Sequence, residues 1–219
     1  MWLAKFLATC GFGSRRACIE LIKAGQVTIN NQIITNPAIQ INNEDIFVNK
    51  QKAIPLSPKL FLYYKKPGYI VSHSDSRPTI FDDTSYDLIS VGRLDYYTEG
   101  LMLLTNNSTI AHFWETSKCT REYCVTYIGN KPIPWSEYYL INNIKYGPVR
   151  LTSYNRSGIF YNVYLSINEG KNREIRNICK YLEWKVKCLV RIKFGPFSID
   201  QITQKLTIVE HQKAANKIF

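Results

Sequence analysis

The first fifty residues contain two helical stripes of apolar side chains followed by short alternating runs. The first stripe consists of Leu3, Phe6, Leu7 and Cys10, and the second of Cys18, Leu21 and Ile22. Ser14 is placed to cap the second helix and Gly25 to end it. Residues 27–29 and 33–34 flank the pair Asn30-Asn31, which tolerates positive φ and predicts a hairpin.

Beyond residue 60 the chain is dominated by runs of β-branched and aromatic residues, which favour strands. These runs cover residues 60–64, 69–72, 123–127, 160–165 and 186–192. The clearest helix is predicted over 172–182, where the apolar positions 175, 178, 179 and 182 share one face. We therefore predict an α+β fold with mostly antiparallel strands. Its predicted parts are a small domain at 1–50, a linker at 51–59 that contains Pro55 and Pro58, and a large domain at 60–219.

The distribution of charge along the chain indicates what kind of partner the protein binds. The chain carries a net charge of +11, and between residues 171 and 193 eight basic residues accompany only two acidic ones. A solvated helix face is the ordinary explanation of such a run. Because Tyr181 and Trp184 are interleaved with the cations, a polyanionic partner such as nucleic acid is favoured.

Several classes of protein are disfavoured by what the sequence contains. The six cysteines form no Cys-x-x-Cys pair and the three histidines are scattered, which predicts reduced thiols in a cytoplasmic protein and no metal site. Gly11-Phe12-Gly13 lacks the third glycine of a dinucleotide motif. No run reaches the length of a membrane span, and residues 1–10 lack the features of a secretion signal.

The segment 91–106 is the most informative about chemistry, because it sets Asp95 beside Arg93 between two apolar runs. An isolated aspartate of this kind is usually a turn residue. However, Gly92-Arg93-Leu94-Asp95 followed by Thr98-Glu99-Gly100-Leu101 resembles the catalytic motif of pseudouridine synthases of the Rsu branch, which modify ribosomal RNA.

Further motifs in the same order extend this resemblance over nearly the whole chain. They are Lys65-Lys66-Pro67-Gly68 with residues 78–82, Arg121-Glu122-Tyr123, and residues 169–176 continued by Leu189, Arg191, Gly195 and Pro196. The first fifty residues resemble the S4 RNA-binding domain, although Met1-Trp2-Leu3 departs from its basic start. Residues 204–207 also depart from the family's usual C-terminal Gly-x-Trp or Gly-x-Tyr element.

The resemblance implies a role for each candidate residue. Asp95 would be the catalytic carboxylate, and Arg176 the cation that keeps it ionised in a dry site. Tyr123 would stack on the extruded uracil, Ile175 would close the floor beneath it, and Arg93 would fill the gap in the RNA or hold a flanking phosphate. The predicted RNA contacts are Lys5, Ser14, Arg15, Arg16, Lys23, Lys171 and Arg173.

The reaction implied is the isomerisation of uridine to pseudouridine in ribosomal RNA, with large-subunit RNA favoured by the spacing of the motifs. Isomerisation adds and removes nothing, so no redox cofactor, nucleotide or metal is expected. The expected partner is ribosomal RNA or a ribosomal precursor particle. We expect the protein to act as a monomer and to have no membrane partner.

Two other functions compete with this prediction. A non-catalytic RNA-binding or ribosome-assembly factor would use the S4-like domain and the basic segment, but has no need of Asp95, Tyr123 and Arg176 together. A glycoside hydrolase or another two-carboxylate enzyme would pair Asp95 with Glu99. The ordinary roles are a helix-start cap for Glu99, sheet packing for Tyr123 and a solvated helix face for Arg176.

Overall fold

The chain divides between a small N-terminal sheet and a large mixed sheet. The computed structural model describes residues 1–73, 75–84, 88–132, 135–136 and 138–211, with residues 135–136 described as backbone only. In this part of the chain the helices are α1 (Leu3–Thr9), α2 (Arg15–Lys23), α3 (Ser108–Thr116) and α4 (Glu174–Tyr181), and a 3₁₀ turn spans Ile199–Gln201.

The N-terminal sheet has the strand order β2-β1-β3-β4, packed against α1 and α2. Its strands are β1 (Val27–Ile29), β2 (Gln32–Ile34), β3 (Ile46–Val48) and β4 (Gln51–Lys52). The predicted caps and turn are confirmed: the Ser14 hydroxyl accepts from the Ala17 N–H at 3.2 Å, and Asn30 and Asn31 have φ of 47° and 67°. Both helical stripes lie in the core of this unit.

The first residues of the segment predicted as a linker belong to the N-terminal sheet and its core instead. Residues 51 and 52 form β4, and Ala53 is buried in the N-terminal core. Composition could not show this, because a strand of two residues carries no alternating pattern. The division of the chain at 50 and 59 stays a prediction, and residues 212–219 of the predicted large domain lie outside the described residues.

Within the described residues the large sheet has ten strands, of which eight follow the order β16-β5-β7-β14-β8-β13-β12-β9, while β6 pairs with β7 and β15 with β14. The β7 and β14 strands run parallel, and the other pairs are antiparallel. A separate hairpin joins β10 to β11. The strands are β5 (Leu60–Lys65), β6 (Ile89–Ser90), β7 (Glu99–Thr105), β8 (Arg121–Ile128), β9 (Trp135–Ser136), β10 (Tyr139–Ile141), β11 (Ile144–Tyr146), β12 (Val149–Ser157), β13 (Phe160–Ile167), β14 (Lys185–Phe194), β15 (Phe197–Ser198) and β16 (Thr207–Val209).

Side chains alternate between the two faces of a strand, and each face of the central strands packs against a core of its own. In β5, Phe61 and Tyr63 join the core beneath α4, whereas Leu60 and Leu62 join the core beneath α3. The predicted α+β class is confirmed, and four of the five predicted strand runs in this domain lie in β5, β8, β13 and β14.

The strand predicted at 69–72 is wrong. Only Ile70 makes a bridge, to Thr79, inside a loop where the Ile70 N–H donates to the Pro78 carbonyl at 2.9 Å. The run is apolar for another reason, since Val71 is buried in the large core. The helix predicted from residue 172 begins at Glu174, because Arg173 has φ of 51° and cannot join it.

No helix in the described part of the chain has the length and apolar character needed to cross a membrane.

Candidate active site

Asp95 lies in the turn that enters β7. The turn is closed by the Thr98 N–H, which donates to the Asp95 carbonyl at 3.0 Å. Val91 and Leu94 are buried on either side of Arg93, so the apolar residues of the motif fasten this segment to the core. The Asp95 side chain keeps 30% of its surface exposed, which leaves the carboxylate accessible from solvent.

Helix α4 and the residue that precedes it bring two cations to this carboxylate. Nε of Arg176 lies 3.5 Å from Oδ2 of Asp95, and Nη1 of Arg173 lies 3.9 Å from the same oxygen. Arg176 also donates to Oγ1 of Thr98, from Nη2 at 3.0 Å and from Nε at 3.3 Å. Burial lowers the pKa of Arg176, an effect opposed by the charge of Asp95, but a guanidinium stays protonated in proteins. The arrangement is a carboxylate held against a guanidinium that Thr98 fixes in place.

Two glutamates hold the loop that precedes α4. The buried Glu174 accepts from the backbone N–H groups of Gly147 and Lys171, each at 3.1 Å. Glu169 accepts from the same Gly147 N–H at 3.0 Å and from Nζ of Lys171 at 2.8 Å. Burial, together with the hydrogen bond and charge of Glu169, raises the pKa of Glu174 to about 7. These contacts fasten the start of α4 to the connection between β11 and β12.

A cleft of about 730 Å³ opens above Asp95, a volume within the range of small-molecule sites. Its apolar floor includes Tyr123, Ile175 and Leu189, all buried. Its basic rim contains Arg77, Arg93, Lys118, Arg121, Lys171 and Arg173. A planar ring can lie on the floor while phosphates meet the rim, which is the division of contacts expected for a nucleotide.

The family model for RNA pseudouridylate synthases matches residues 46–181, a stretch that contains Asp95, Tyr123 and Arg176. The chain belongs to the RNA pseudouridylate synthase family. This RNA pseudouridine synthase also matches the S4 domain over residues 1–47. The resemblance drawn from the motifs is thereby confirmed for both parts of the chain.

Relatives and solved structures agree with this assignment. The synthase is 37% identical over 217 residues to an RNA pseudouridine synthase of Rickettsia felis, which covers 91% of this chain and 92% of the relative. It is 30% identical to ribosomal large subunit pseudouridine synthase B of Vibrio cholerae, over 91% of this chain and 68% of that protein. A crystal structure of a pseudouridylate synthase superposes with a TM-score of 0.65 and 25% identity, covering 99% of both chains.

The fold of the synthase brings together seven of the predicted site residues. The cleft is lined by Arg93, Asp95, Tyr123, Lys171, Arg173, Ile175 and Arg176. Arg173, expected to contact RNA, also approaches Asp95. The other five predicted residues belong to the N-terminal unit and are not among the described residues that line the cleft. Of these, Ser14 caps α2 and Lys23 pairs with Glu20 at 3.0 Å, while Arg15 and Arg16 are exposed and Lys5 is half-buried.

Glu99 does not fit either role considered for it. It begins β7 rather than a helix, and it is not among the described residues that line the cleft. Its carboxylate accepts from the Tyr64 hydroxyl at 3.0 Å and from Sγ of Cys188 at 2.7 Å. The structure therefore disfavours a second catalytic carboxylate four residues after Asp95.

Sequence reasoning missed the roles of Thr98 and Lys65. Thr98 is buried and bonds to Arg176 through its hydroxyl, although the motif gave it no function. Lys65 is fully buried beneath the Asp95 turn. Its position could have been found, because alternation in β5 places residue 65 on the same face as Phe61 and Tyr63.

Proposed function

We propose that this synthase isomerises uridine to pseudouridine in large-subunit ribosomal RNA, with Asp95 as the reacting carboxylate. The observation that carries the assignment of Asp95 is its pairing with Arg176 at 3.5 Å beneath a cleft with an apolar floor. Ribosomal RNA as the target is supported by the name of the Vibrio cholerae relative, which acts on the large ribosomal subunit.

The reaction needs one carboxylate and conserves every atom. The bond from N1 of uracil to C1′ of ribose breaks, the base turns, C5 bonds to C1′, and the proton on C5 moves to solvent while N1 gains one. A carboxylate can assist by adding covalently to the base or sugar, or by removing a sugar proton. Both routes require an accessible carboxylate, and the contact with Arg176 at 3.5 Å and the open cleft above Asp95 support this role.

The cleft floor supports the proposed contacts to the base. Tyr123 and Ile175 would hold the uracil from its face, because both are buried on one side and line the cleft on the other. A uridine in a helix must first leave the stack, at a cost of a few kcal/mol. Arg93 is exposed at the cleft rim, where it would fill the vacated space or hold the adjacent phosphate.

RNA affinity would come from contacts to the phosphates on both parts of the chain. Lys171 and Arg173 lie at the cleft, and Lys5, Ser14, Arg15, Arg16 and Lys23 lie in the S4 domain. Each phosphate contact releases counterions, so binding should weaken steeply with salt. We further infer a cytoplasmic monomer acting on ribosomal RNA or a precursor particle. The monomer is supported by the cleft, where Asp95, Tyr123 and Arg176 all come from one chain.

The test is Asp95→Asn, which keeps the shape of the side chain but removes its ability to act as base or nucleophile. We expect release of tritium from 5-tritiated uridine in ribosomal RNA to fall by at least about 1,000-fold, with RNA affinity within about threefold. The matched control is Asp200→Asn, which neutralises an exposed carboxylate on the 3₁₀ turn and should keep full activity.

The target is tested by mapping pseudouridines in ribosomal RNA from cells that lack the gene. A uridine that stays unmodified in those cells and is restored by the wild-type gene, but not by Asp95→Asn, would identify the substrate. Activity of Asp95→Asn within tenfold of the wild type would contradict the assignment of Asp95, and an unchanged map would contradict the ribosomal target.

A further inference from the structure

Half of the cations between residues 171 and 193 are not among the described residues that line the cleft. Of these, Lys180 is exposed in the last turn of α4, and Lys185 and Lys187 are exposed at the start of β14. The active site therefore does not account for their charge, and a second contact with a polyanion is a reason for it.

A row of aromatic rings leads from this segment to the edge of the large sheet. Trp184 stacks on Tyr127 with ring centroids 4.1 Å apart, and Tyr127 stacks on Tyr161 at 5.6 Å. The ring of Tyr154 lies 6.5 Å from that of Tyr161. Trp184 and Tyr127 are buried, Tyr161 is half-buried and Tyr154 is 41% exposed, so the row passes from the core to solvent.

The outer end of this row carries a cation and lies on an open strand edge. Cζ of the exposed Arg156 lies 5.4 Å from the centroid of the Tyr161 ring. Among the described strands, β12 pairs on its other side with β9 only, and only at Val149 and Arg150. We call the side chains of Tyr154, Arg156 and Tyr161 the hairpin patch, because they lie on the hairpin of β12 and β13.

The charge of this hairpin favours RNA as the occupant of the patch. Residues 149–167 include Arg150 and Arg156 but no acidic residue. Phosphates bind exposed cations, and unstacked bases stack on exposed aromatic rings, so RNA matches both features of the patch. A protein strand could pair with the open edge of β12, but the positive charge gives it no advantage.

The hairpin patch lies on the same face of the sheet as the floor of the cleft. In the pairing of β8 with β13, Tyr123 is opposite Leu165 and Tyr127 is opposite Tyr161. Residues four apart on a strand share a face, and a rise of about 3.4 Å per residue separates the patch from the floor by roughly 14 Å. Nucleotides beside a uridine in the cleft are thus within reach of the patch.

We propose that the hairpin patch binds nucleotides that flank the target uridine, with a base stacked on Tyr154 and a phosphate against Arg156. This inference rests on the proposed function, in which RNA is the substrate of the cleft. None of the three side chains is among the described residues that line the cleft. Loss of the patch should therefore weaken RNA binding without changing the rate at saturating RNA.

The experiment measures the affinity of the full chain for deproteinised large-subunit ribosomal RNA by filter binding at several salt concentrations. Tyr154→Ala should weaken binding about 10-fold, because it removes a base stack, whereas Tyr154→Phe keeps the ring and should stay within about twofold. Arg156→Gln should weaken binding and lower the slope of log affinity against log salt by about 0.7, the value for one contact to a single strand. Tyr154→Ala should leave that slope unchanged, since stacking releases no counterions.

Two variants serve as matched controls. Ile208→Ala removes an exposed apolar side chain from β16, at the opposite end of the described sheet, and Lys59→Gln removes an exposed cation just before β5. Both should keep the affinity of the wild type within about twofold. Thermal unfolding of every variant checks that the fold is intact, and tritium release at saturating RNA should proceed at the wild-type rate.

Wild-type affinity in both Tyr154→Ala and Arg156→Gln would overturn the proposal, and the open edge of β12 would then point to a protein strand. A lower rate at saturating RNA would also overturn it. If the variants do not fold, the wild type decides by photocrosslinking to RNA that contains 4-thiouridine: labelling within 149–167 is expected, and labelling confined to other peptides overturns the proposal.

Asp95→Asn separates this proposal from the proposed function. An active Asp95→Asn defeats the proposed function, while the affinities of the patch variants still decide whether RNA binds at the hairpin. An inactive Asp95→Asn beside Tyr154→Ala and Arg156→Gln enzymes of unchanged affinity defeats only the hairpin patch.

Discussion

Replacing Arg176 with Met tests the ion pair on which the proposed chemistry depends. Methionine keeps most of the apolar length of the side chain but loses the charge 3.5 Å from Asp95 and both hydrogen bonds to Thr98. The side chain of Arg176 is 17% exposed and that of Asp95 is 30% exposed, so the pair is neither fully solvated nor fully buried.

The size of the effect follows from this geometry. Two unit charges at 3.5 Å interact by about 1 kcal/mol at the dielectric constant of water and about 5 kcal/mol at an effective value near 20. Arg173 remains 3.9 Å away, but its side chain is 57% exposed, so it compensates only in part. We expect a net loss of about 2 to 3 kcal/mol, which corresponds to a fall in rate of roughly 30- to 150-fold.

The assay is the single-turnover rate of tritium release at saturating RNA. Lys180→Met is the matched control, since it removes an exposed charge from the same helix and should change the rate less than about threefold. An Arg176→Met enzyme with an unchanged rate would refute the reasoning.

Three further predictions concern stability and RNA affinity. Gly100→Ala should destabilise the fold by more than about 3 kcal/mol in urea unfolding, because its Cβ would lie 2.3 Å from the Arg191 carbonyl oxygen at a φ of +108°; a loss below 1 kcal/mol would contradict the close packing. Glu174 has a pKa raised from 4.5 to about 7, so the folded protein binds the extra proton and loses stability as the pH rises between these values; Glu174→Gln should flatten that slope. Deleting residues 1–55 should leave a soluble domain whose RNA affinity is lower and less dependent on salt, and an unchanged salt slope would show that the first unit contributes no phosphate contacts.

The features that the sequence determined by itself are local ones. Ser14 and the pair Asn30-Asn31 act within one cap and one turn, so their neighbours in the chain suffice to specify them. The apolar stripe of α4 and the β-rich runs of the large sheet are likewise evident from the spacing and type of their own residues. The motifs and their order can be read from the sequence alone. Their resemblance to a known family therefore indicated both the family and the candidate residues before the structure was known.

Where the outcome depends on residues distant in sequence, spacing gave less information. Residues 69–72 have strand composition but pack as a loop, since Val71 fills the core from there. Glu99 looked like a helix cap, yet it begins a strand and bonds to Tyr64 and Cys188, residues distant in sequence. Both outcomes depend on neighbours that a local window does not contain.

Only the tertiary structure decided how the site is assembled. The parallel pairing of β7 with β14 places the entry turn of β7 next to α4, which precedes β14, and so joins Asp95 to Arg176 across the chain. The same packing removes Lys65 from water and directs its ammonium to the carbonyls of Tyr96 and Thr98. Local sequence fixes which face of a strand a side chain occupies, but the charge and hydrogen-bond partners it meets there are set by long-range contacts, because they come from other segments of the chain.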